Sequence, residues 1–211
     1  MAVKTVGKAT AVKDAPSTGT SPRPRSSIIQ ATIRLFGQQG YTGTSMRDIA
    51  KEVGVLPGSL YAHIDSKETL LLEIVDLGIH GFLTAVEPIV NLPLPAEERL
   101  RRAIRAHVEV VAENPERSLV VFHQWRFLSG TNLAGAIEQR RRYERAFVRI
   151  FQSGVEAGVF ERTLNQRIAV LTILGALNWT PEWYSADGPS TASQLGDMMA
   201  DSLLSGLFLR R

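Results

Sequence analysis

The densest run of side chains able to act on a partner spans residues 44–67, and it suits recognition of a polyanion rather than bond breaking. Thr44 and Ser45 stand where a helix begins, so hydroxyls and free backbone N–H groups gather at a point able to receive a phosphate. MRDIAKEVGVLPGSLYAHI, residues 46–64, then has the spacing of two short helices meeting across a sharp turn. Ile49, Ala50, Val53, Val55 and Leu60 can hold the pair together, with Ala50 small where the helices nearly touch. Gly54 permits the positive φ that ends the first helix. The second helix is left free to lie in a major groove. Lys67 opens the next helix and can bring a point charge to another phosphate. Taken alone, the same segment also fits an ordinary αα-hairpin of a bundle.

Catalytic and metal chemistry find little to work with. The chain has no cysteine, which removes disulfides, thiolate zinc sites, iron–sulfur clusters and cysteine nucleophiles together. The four histidines, at 63, 80, 107 and 123, show no paired spacing, and neither H-E-x-x-H, G-x-S-x-G nor a Gly-rich phosphate loop occurs. Glu68 is read as a helix cap or dipole partner. No catalytic residue, metal site or cofactor is expected.

The elements that must position residues 44–67 are helical. At 211 residues, with 44% apolar and 21% charged residues, the chain can build one or two compact domains. Ile28, Ile29, Ala31, Ile33, Leu35 and Phe36 recur near 3.6 periodicity behind Ser26, with Gly37 and Gly40 as the stop. Thr44 caps the second helix, Pro57 opens a third, and Asp65 with Glu68 has capping-box spacing ahead of a long fourth that Pro88 kinks or ends. Breakers at 91–95, 114–116, 129–132, Gly158 and 187–190 leave five more helical segments, at 96–113, 116–128, 133–157, 163–184 and 191–209. The expected fold is all-α, with about nine helices: a three-helix head at 26–72 and a larger helical domain at 73–211.

Residues 1–25 carry Lys4, Lys8, Lys13, Arg23 and Arg25 against Asp14 alone, a net of +4, leaving −1 for 26–211. With almost no large apolar side chains, this stretch is expected to be a disordered basic arm that tracks phosphates or enters a minor groove, or else a solubilising leader. The longest strongly apolar run, Ile168 to Leu177, is too short to span a bilayer, and the start lacks the apolar region of a secretory signal, so a cytoplasmic protein with no membrane partner is expected.

Two segments carry a family resemblance. F-x-x-x-G-Y-x-x-T-S-M-x-x-I-A-x-x-x-G-V in residues 36–55, followed by G-S-L-Y-x-H-I-x-S-K-E-x-L-L in 58–71, resembles the DNA-binding head of the tetracycline-repressor (TetR) family of transcriptional regulators. The resemblance implies a homodimer on double-stranded operator DNA, with a C-terminal domain that binds a small ligand and lowers operator affinity. It carries phosphate-contact roles onto Thr44, Tyr61, His63 and Lys67, with Ser45 beside them, and groove-facing roles onto Pro57, Gly58 and Ser59. For Tyr61 a core aromatic with a solvated hydroxyl, and for His63 a packed imidazole, remain the competing readings. Leu56 and Pro57 depart from the small polar residues of many relatives, which implies sparse base hydrogen bonding. Residues 26–70 balance Arg34, Arg47, Lys51 and Lys67 against Asp48, Glu52, Asp65 and Glu68, so part of the attraction is assigned to the arm.

In the C-terminal half, Ile168, Leu171, Thr172 and Gly175 form one stripe, while Ala169, Ile173, Ala176 and Trp179 lie elsewhere. The last helix repeats the pattern with Leu195, Met198, Met199, Leu203, Leu204, Leu207 and Phe208. Pairing with a second copy would bury the surplus face, Gly175 and Gly206 allowing close approach; two central helices of a monomeric bundle are the alternative. Candidate ligand contacts are His107, Phe122, Trp125, Arg126, Asn178 and Trp179, with Phe82, His123, Phe127 and Trp183 near them. VFHQWRFLSG and ALNWTPEWYSADGPS resemble the subset of the family that responds to acyl-CoA thioesters in lipid catabolism, implying a hydrophobic, acyl-CoA-like effector. Arginines at 99–105 and 140–149 could meet its phosphates, or form solvated faces paired with Glu98, Glu109, Glu138 and Glu144. From another functional class, a helical lipid-thioester enzyme or carrier that kept only the fold of the head is the alternative.

Overall fold

A computed structural model describes residues 24–62 and 64–205; the basic arm up to residue 23, His63, and Gly206, Leu207 and Phe208 lie outside the described residues. Helix α1 (Arg25–Gly43) buries Ile28, Ile29, Ile33, Leu35 and Phe36 as its periodicity requires. It overruns the expected stop. Gly37 is where α1 comes against Glu116, and only Gly40, at φ 74°, breaks the helical path without ending it. Helix α2 (Met46–Val53) is capped one residue later than its sequence suggests: Ser45, not Thr44, forms a reciprocal capping box with Asp48, and Gly54 closes it at φ 75°. Pro57 opens α3 (Pro57–Tyr61), whose single buried residue is Leu60.

Helix α4 (Lys67–Val86) starts from Ser66, whose side chain accepts from the Thr69 N–H, so the Asp65–Glu68 capping box does not form. Pro88 follows in a 3-10 turn, Glu87–Asn91. This stretch, Lys67–Asn91, is long and apolar enough to cross a membrane by composition, a feature the apolar-run criterion passed over. Half of it is buried inside the protein, because α4 is the shared beam: it packs on α1 in the head and on α5 and α7 in the body.

The body is built around α5 (Ala96–Glu113), which packs against α4, α7 (Gly130–Glu156) and α10 (Ala192–Leu204). Gly196 of α10 crosses the Arg105 backbone so closely that a Cβ would sit 2.7 Å from the Arg105 Cα. The segment expected as one helix at 116–128 is three pieces: α6 (Pro115–Leu119), a π turn (Val120–Gln124) and a 3-10 turn (Trp125–Phe127). Likewise the helix expected at 163–184 divides at Trp179 into α8 (Gln166–Asn178) and α9 (Thr180–Trp183). Pro181 lacks the N–H that would continue the ladder. Ten α-helices and no β-strand occur among the described residues.

Candidate nucleic-acid interface and ligand cavity

Helix α3 has almost no interior. Leu60 anchors it against the core, while Pro57, Gly58 and Ser59 are exposed, Leu56 is 76% exposed and Tyr61 is 55% exposed. Tyr61 is therefore no core aromatic. A Cβ added at Gly58 would meet nothing within 4 Å, and its φ is not positive, so neither packing nor backbone conformation demands glycine there. Arg47 and Lys51 on α2 are exposed beside it. Arg34 is engaged by Glu52 at 3.0 Å.

The residues flanking this surface are more committed than their types suggest. Thr44 is buried, its hydroxyl donating to the Gly40 carbonyl at 2.9 Å and to Leu35 at 3.3 Å, so the hydroxyl faces inward and not toward a phosphate. Ser45 accepts from the Asp48 N–H, and its hydroxyl (2.6 Å) and its own N–H (2.8 Å) donate to the Asp48 carboxylate, which these two bonds hold below its usual range. The Lys67 ammonium donates to the carbonyls of Tyr41 (2.8 Å) and Thr44 (2.9 Å) and lies 4.1 Å from the Tyr41 ring centroid. Of its three donors one remains for an outside partner.

Several contacts tie the head to the body, among them Gly37 of α1 against Glu116. The Gln124 side chain accepts the Tyr41 N–H at 3.1 Å, and Phe127 stacks on the Tyr41 ring at 5.2 Å. Glu68, at the start of α4, accepts the Ser129 N–H at 2.9 Å, the Ser129 hydroxyl and the Asn132 amide. It thereby caps the N-terminus of α7 from another helix, and the Ser129 N–H above all lowers its carboxyl pKa. Within the body, α4 and the π turn touch at Gly78, where a Cβ would collide with Val121.

Behind that junction is a cavity of about 370 Å³, walled by Ile79 and Phe82 of α4, Val121, Phe122 and Trp125, Ile137, Arg140, Arg141, Tyr143 and Glu144 of α7, and Leu171, Leu174, Gly175 and Asn178 of α8. Its floor is an aromatic cluster: Phe82 lies 4.7 Å from His107, 5.1 Å from Phe122 and 5.9 Å from Tyr143. His107 Nδ1 and the Tyr143 hydroxyl share a hydrogen bond of 2.9 Å. Burial pushes the His107 pKa down to about 3, opposed by the Leu177 carbonyl, and burial raises that of Tyr143.

Of the six residues singled out from sequence, Phe122, Trp125 and Asn178 line the cavity. His107 is fully buried beneath Tyr143 rather than in the wall, and Arg126 is exposed, 5.3 Å over the Trp125 ring. Trp179 is 57% exposed and outside the wall, its ring edge-on to His123 at 6.4 Å. Sequence reasoning missed Ile79, Tyr143 and Leu174 as wall residues, and nothing in their spacing separates them from core. Among the described residues no cluster of His, Asp and Glu could hold a metal ion.

Residues 28–74 match the bacterial regulatory proteins of the tetR family, and residues 93–207 match the tetracyclin repressor-like C-terminal domain. The HTH-type transcriptional repressor KstR2 of Mycobacterium tuberculosis is 28% identical over 188 residues, covering 87% of this chain and 92% of its own. The TetR family regulator PfmR of Thermus thermophilus superposes with a TM-score of 0.76 at 33% identity, over 87% of this chain and 99% of its own. AibR, solved with isovaleryl coenzyme A and operator DNA, superposes with a TM-score of 0.74 at 27% identity, over 87% and 97%. With both halves matched by family and an apolar cavity behind a helix-turn-helix face, the chain belongs to the TetR family.

Proposed function

We propose that the protein is a transcriptional repressor that binds operator DNA as a homodimer and is released by a hydrophobic, acyl-CoA-like effector. The observation that carries the reading is the joining of two sites: an exposed α3 that packing does not explain, and a cavity whose wall continues residue by residue into the segment holding the head. Pro57, Gly58 and Ser59 face the groove, Tyr61 and the free donor of Lys67 meet phosphates, and Ser45 presents the start of α2, with Thr44 fixing the turn behind it. The functional division places the head at 26–72 and the sensing and pairing domain at 73–211, in the cytoplasm where DNA is reached.

Pairing uses the face that α8 leaves uncovered. Ile168 is 59% exposed, and Leu171, Thr172 and Gly175 continue the stripe; Trp179, expected on another face, is exposed just past the end of α8, and Met198 is exposed on α10. A second copy would cover it in a four-helix contact. Leu171 and Gly175 belong to the stripe and to the cavity wall alike, so a ligand bears on the pairing geometry directly. Within the protomer, Phe122 and Trp125 line the cavity, while Gln124 and Phe127, interleaved with them, grip Tyr41. An effector that shifts the first pair shifts the second. Its leverage is its differential affinity for the DNA-bound and released states.

The names of the relatives support this reading: KstR2 is called a repressor, and AibR was solved with an acyl-coenzyme A and operator DNA. The test is a gel shift with the DNA upstream of its own gene, titrated with acyl-CoA esters of increasing chain length. Specific retardation reversed by an ester is expected. Failure to bind any of that DNA, with turnover of a thioester, would replace the repressor by the enzyme or carrier.

A further inference from the structure

Helix α7 carries four arginines in six residues, and three of them are accounted for by a carboxylate partner or by open solvent. Arg142 is bound to Glu87 through two contacts of 2.5 and 2.6 Å, Arg145 pairs with Glu138 at 2.8 Å, and Arg141, which also borders the cavity, is exposed to solvent. Arg140 differs from all of these. It is half-buried in the cavity wall and has no carboxylate within ion-pair distance among the described residues; its hydrogen bond is a long one, 3.4 Å to the Val121 carbonyl. Glu144, one turn further along the same wall, favours its charge from a distance without pairing with it.

The surroundings aggravate the imbalance. The Arg140 guanidinium lies 4.8 Å over the Trp125 ring, and Arg126 lies 5.3 Å over the same ring, so two like charges share one indole. Burial and the repulsion of Arg126 both act to lower the basicity of Arg140, yet a guanidinium keeps its charge at any physiological pH. The Trp125 indole N–H is itself buried and has no acceptor among the described residues. A cation–π contact offsets part of the cost of such a site but provides no countercharge and no acceptor for the indole. What is missing is a group that is anionic, accepts hydrogen bonds from planar donors, and can be attached to something apolar.

We propose that Arg140 and the Trp125 N–H at the polar end of the cavity, with Arg126 exposed beside its wall over the same indole, form an anion subsite. It takes the phosphate or carboxylate of an amphiphilic effector whose apolar part lies against Ile79, Phe82 and Phe122. A bidentate guanidinium contact suits either oxyanion. The subsite rests on the reading of the cavity as an effector site, and it gives that site polarity: the anion binds at Trp125, one residue from Gln124, which holds the head. A neutral lipid of the same size would fill the cavity without reaching that point.

The experiment uses two fluorescent probes with one apolar frame, anionic anilinonaphthalene sulfonate and neutral phenylnaphthylamine, titrated into the full chain and into Arg140→Gln, Arg140→Lys and Arg126→Gln, with circular dichroism on each. Because hydrogen bonds to charged groups are strong, Arg140→Gln is expected to weaken the sulfonate probe about tenfold and leave the neutral probe unchanged. Arg140→Lys should retain part of the affinity, and Arg126→Gln, exposed and safe for folding, should lose severalfold. Unchanged sulfonate affinity in Arg126→Gln and in a folded Arg140→Gln overturns the subsite. Octanoyl-CoA and octanoate are then added as competitors. The better one identifies phosphate or carboxylate as the anion. If neither displaces the probe while the arginine dependence stands, the lipid effector fails and the anion subsite survives; if both displace it equally from wild type and Arg140→Gln, the subsite fails and the lipid effector survives.

Discussion

In the head, the residues proposed to meet DNA are those left over once the core is made, whereas the residues proposed to meet the effector belong to the core-forming helices themselves. Helix α3 contributes Leu60 to the interior and leaves Pro57, Gly58, Ser59 and Tyr61 to solvent. Phe82, Phe122 and Tyr143 instead wall the cavity on one side and pack around the buried His107 on the other. Function and stability are therefore separable in the head and entangled in the cavity. Four substitutions test the contrast.

The largest effect is expected from Gly58→Leu. Open space surrounds the position in the free protein, so thermal stability and helicity should hold while operator affinity drops about a hundredfold, roughly 3 kcal/mol, through loss of close groove contact. Parallel loss of melting temperature and affinity would break the separation.

On the entangled side, His107 titrates near 6.5 when unfolded and near 3 when folded. Between those values the unfolded chain binds the extra proton, so folding stability falls as pH drops from about 6.5 toward 3. From pH 7 to pH 5 the loss attributable to this group is about 2 kcal/mol, measurable by urea unfolding. His107→Gln preserves a partner for Tyr143 and should flatten the profile. A wild-type profile already flat over that range would remove His107 from the account.

Gln124→Ala acts where the head meets the cavity wall. Effector affinity should stay within a factor of two, while the ratio of operator affinities without and with effector shrinks about fivefold, near 1 kcal/mol of coupling. Loss of effector binding itself would make Gln124 part of the cavity's support instead. Smallest is Tyr61→Phe, where an exposed hydroxyl is removed: operator affinity is expected to fall about threefold with no change in unfolding. Equal affinity by fluorescence anisotropy would leave Tyr61 as an apolar contact.

The same contrast sets what could be read from sequence. Head residues are contiguous, and their spacing alone carries the two helices, the turn at Gly54 and the free face of α3. Helix α5 was equally legible, Pro95 and Asn114 bounding a clean periodic run at 96–113. Its neighbours were not, because a π turn uses ordinary helix-forming residues and only the pairing of N–H and C=O groups distinguishes it. The cap fell on Ser45 rather than Thr44 because Thr44 is drawn under the kink at Gly40, a contact nine residues back in the chain at its far end. In Arg140, Arg141 and Arg142 three identical side chains point about 100° apart on one helix. Which becomes the buried charge is decided by where Glu87 and Trp125 stand, on other segments.

The π turn at Val120–Gln124 has a consequence of its own in the phase of the helical register. A turn that holds one surplus residue has two nearby ways of closing: it can keep the wide ring, or pass the residue on and tighten to an ordinary one. Either choice satisfies the backbone, so the two arrangements are separated by an exchange of hydrogen bonds and not by breakage of the fold. Each residue passed on rotates everything downstream by about 100°, since 3.6 residues make a turn. Trp125 and Phe127 lie immediately downstream, in a 3-10 turn that is already wound more tightly than an α-helix. Deletion of His123, which neither lines the cavity nor touches Tyr41, would convert the wide ring to a regular helix permanently, and is expected to freeze the chain in a single phase and uncouple effector from operator, with the side chains of both sites intact.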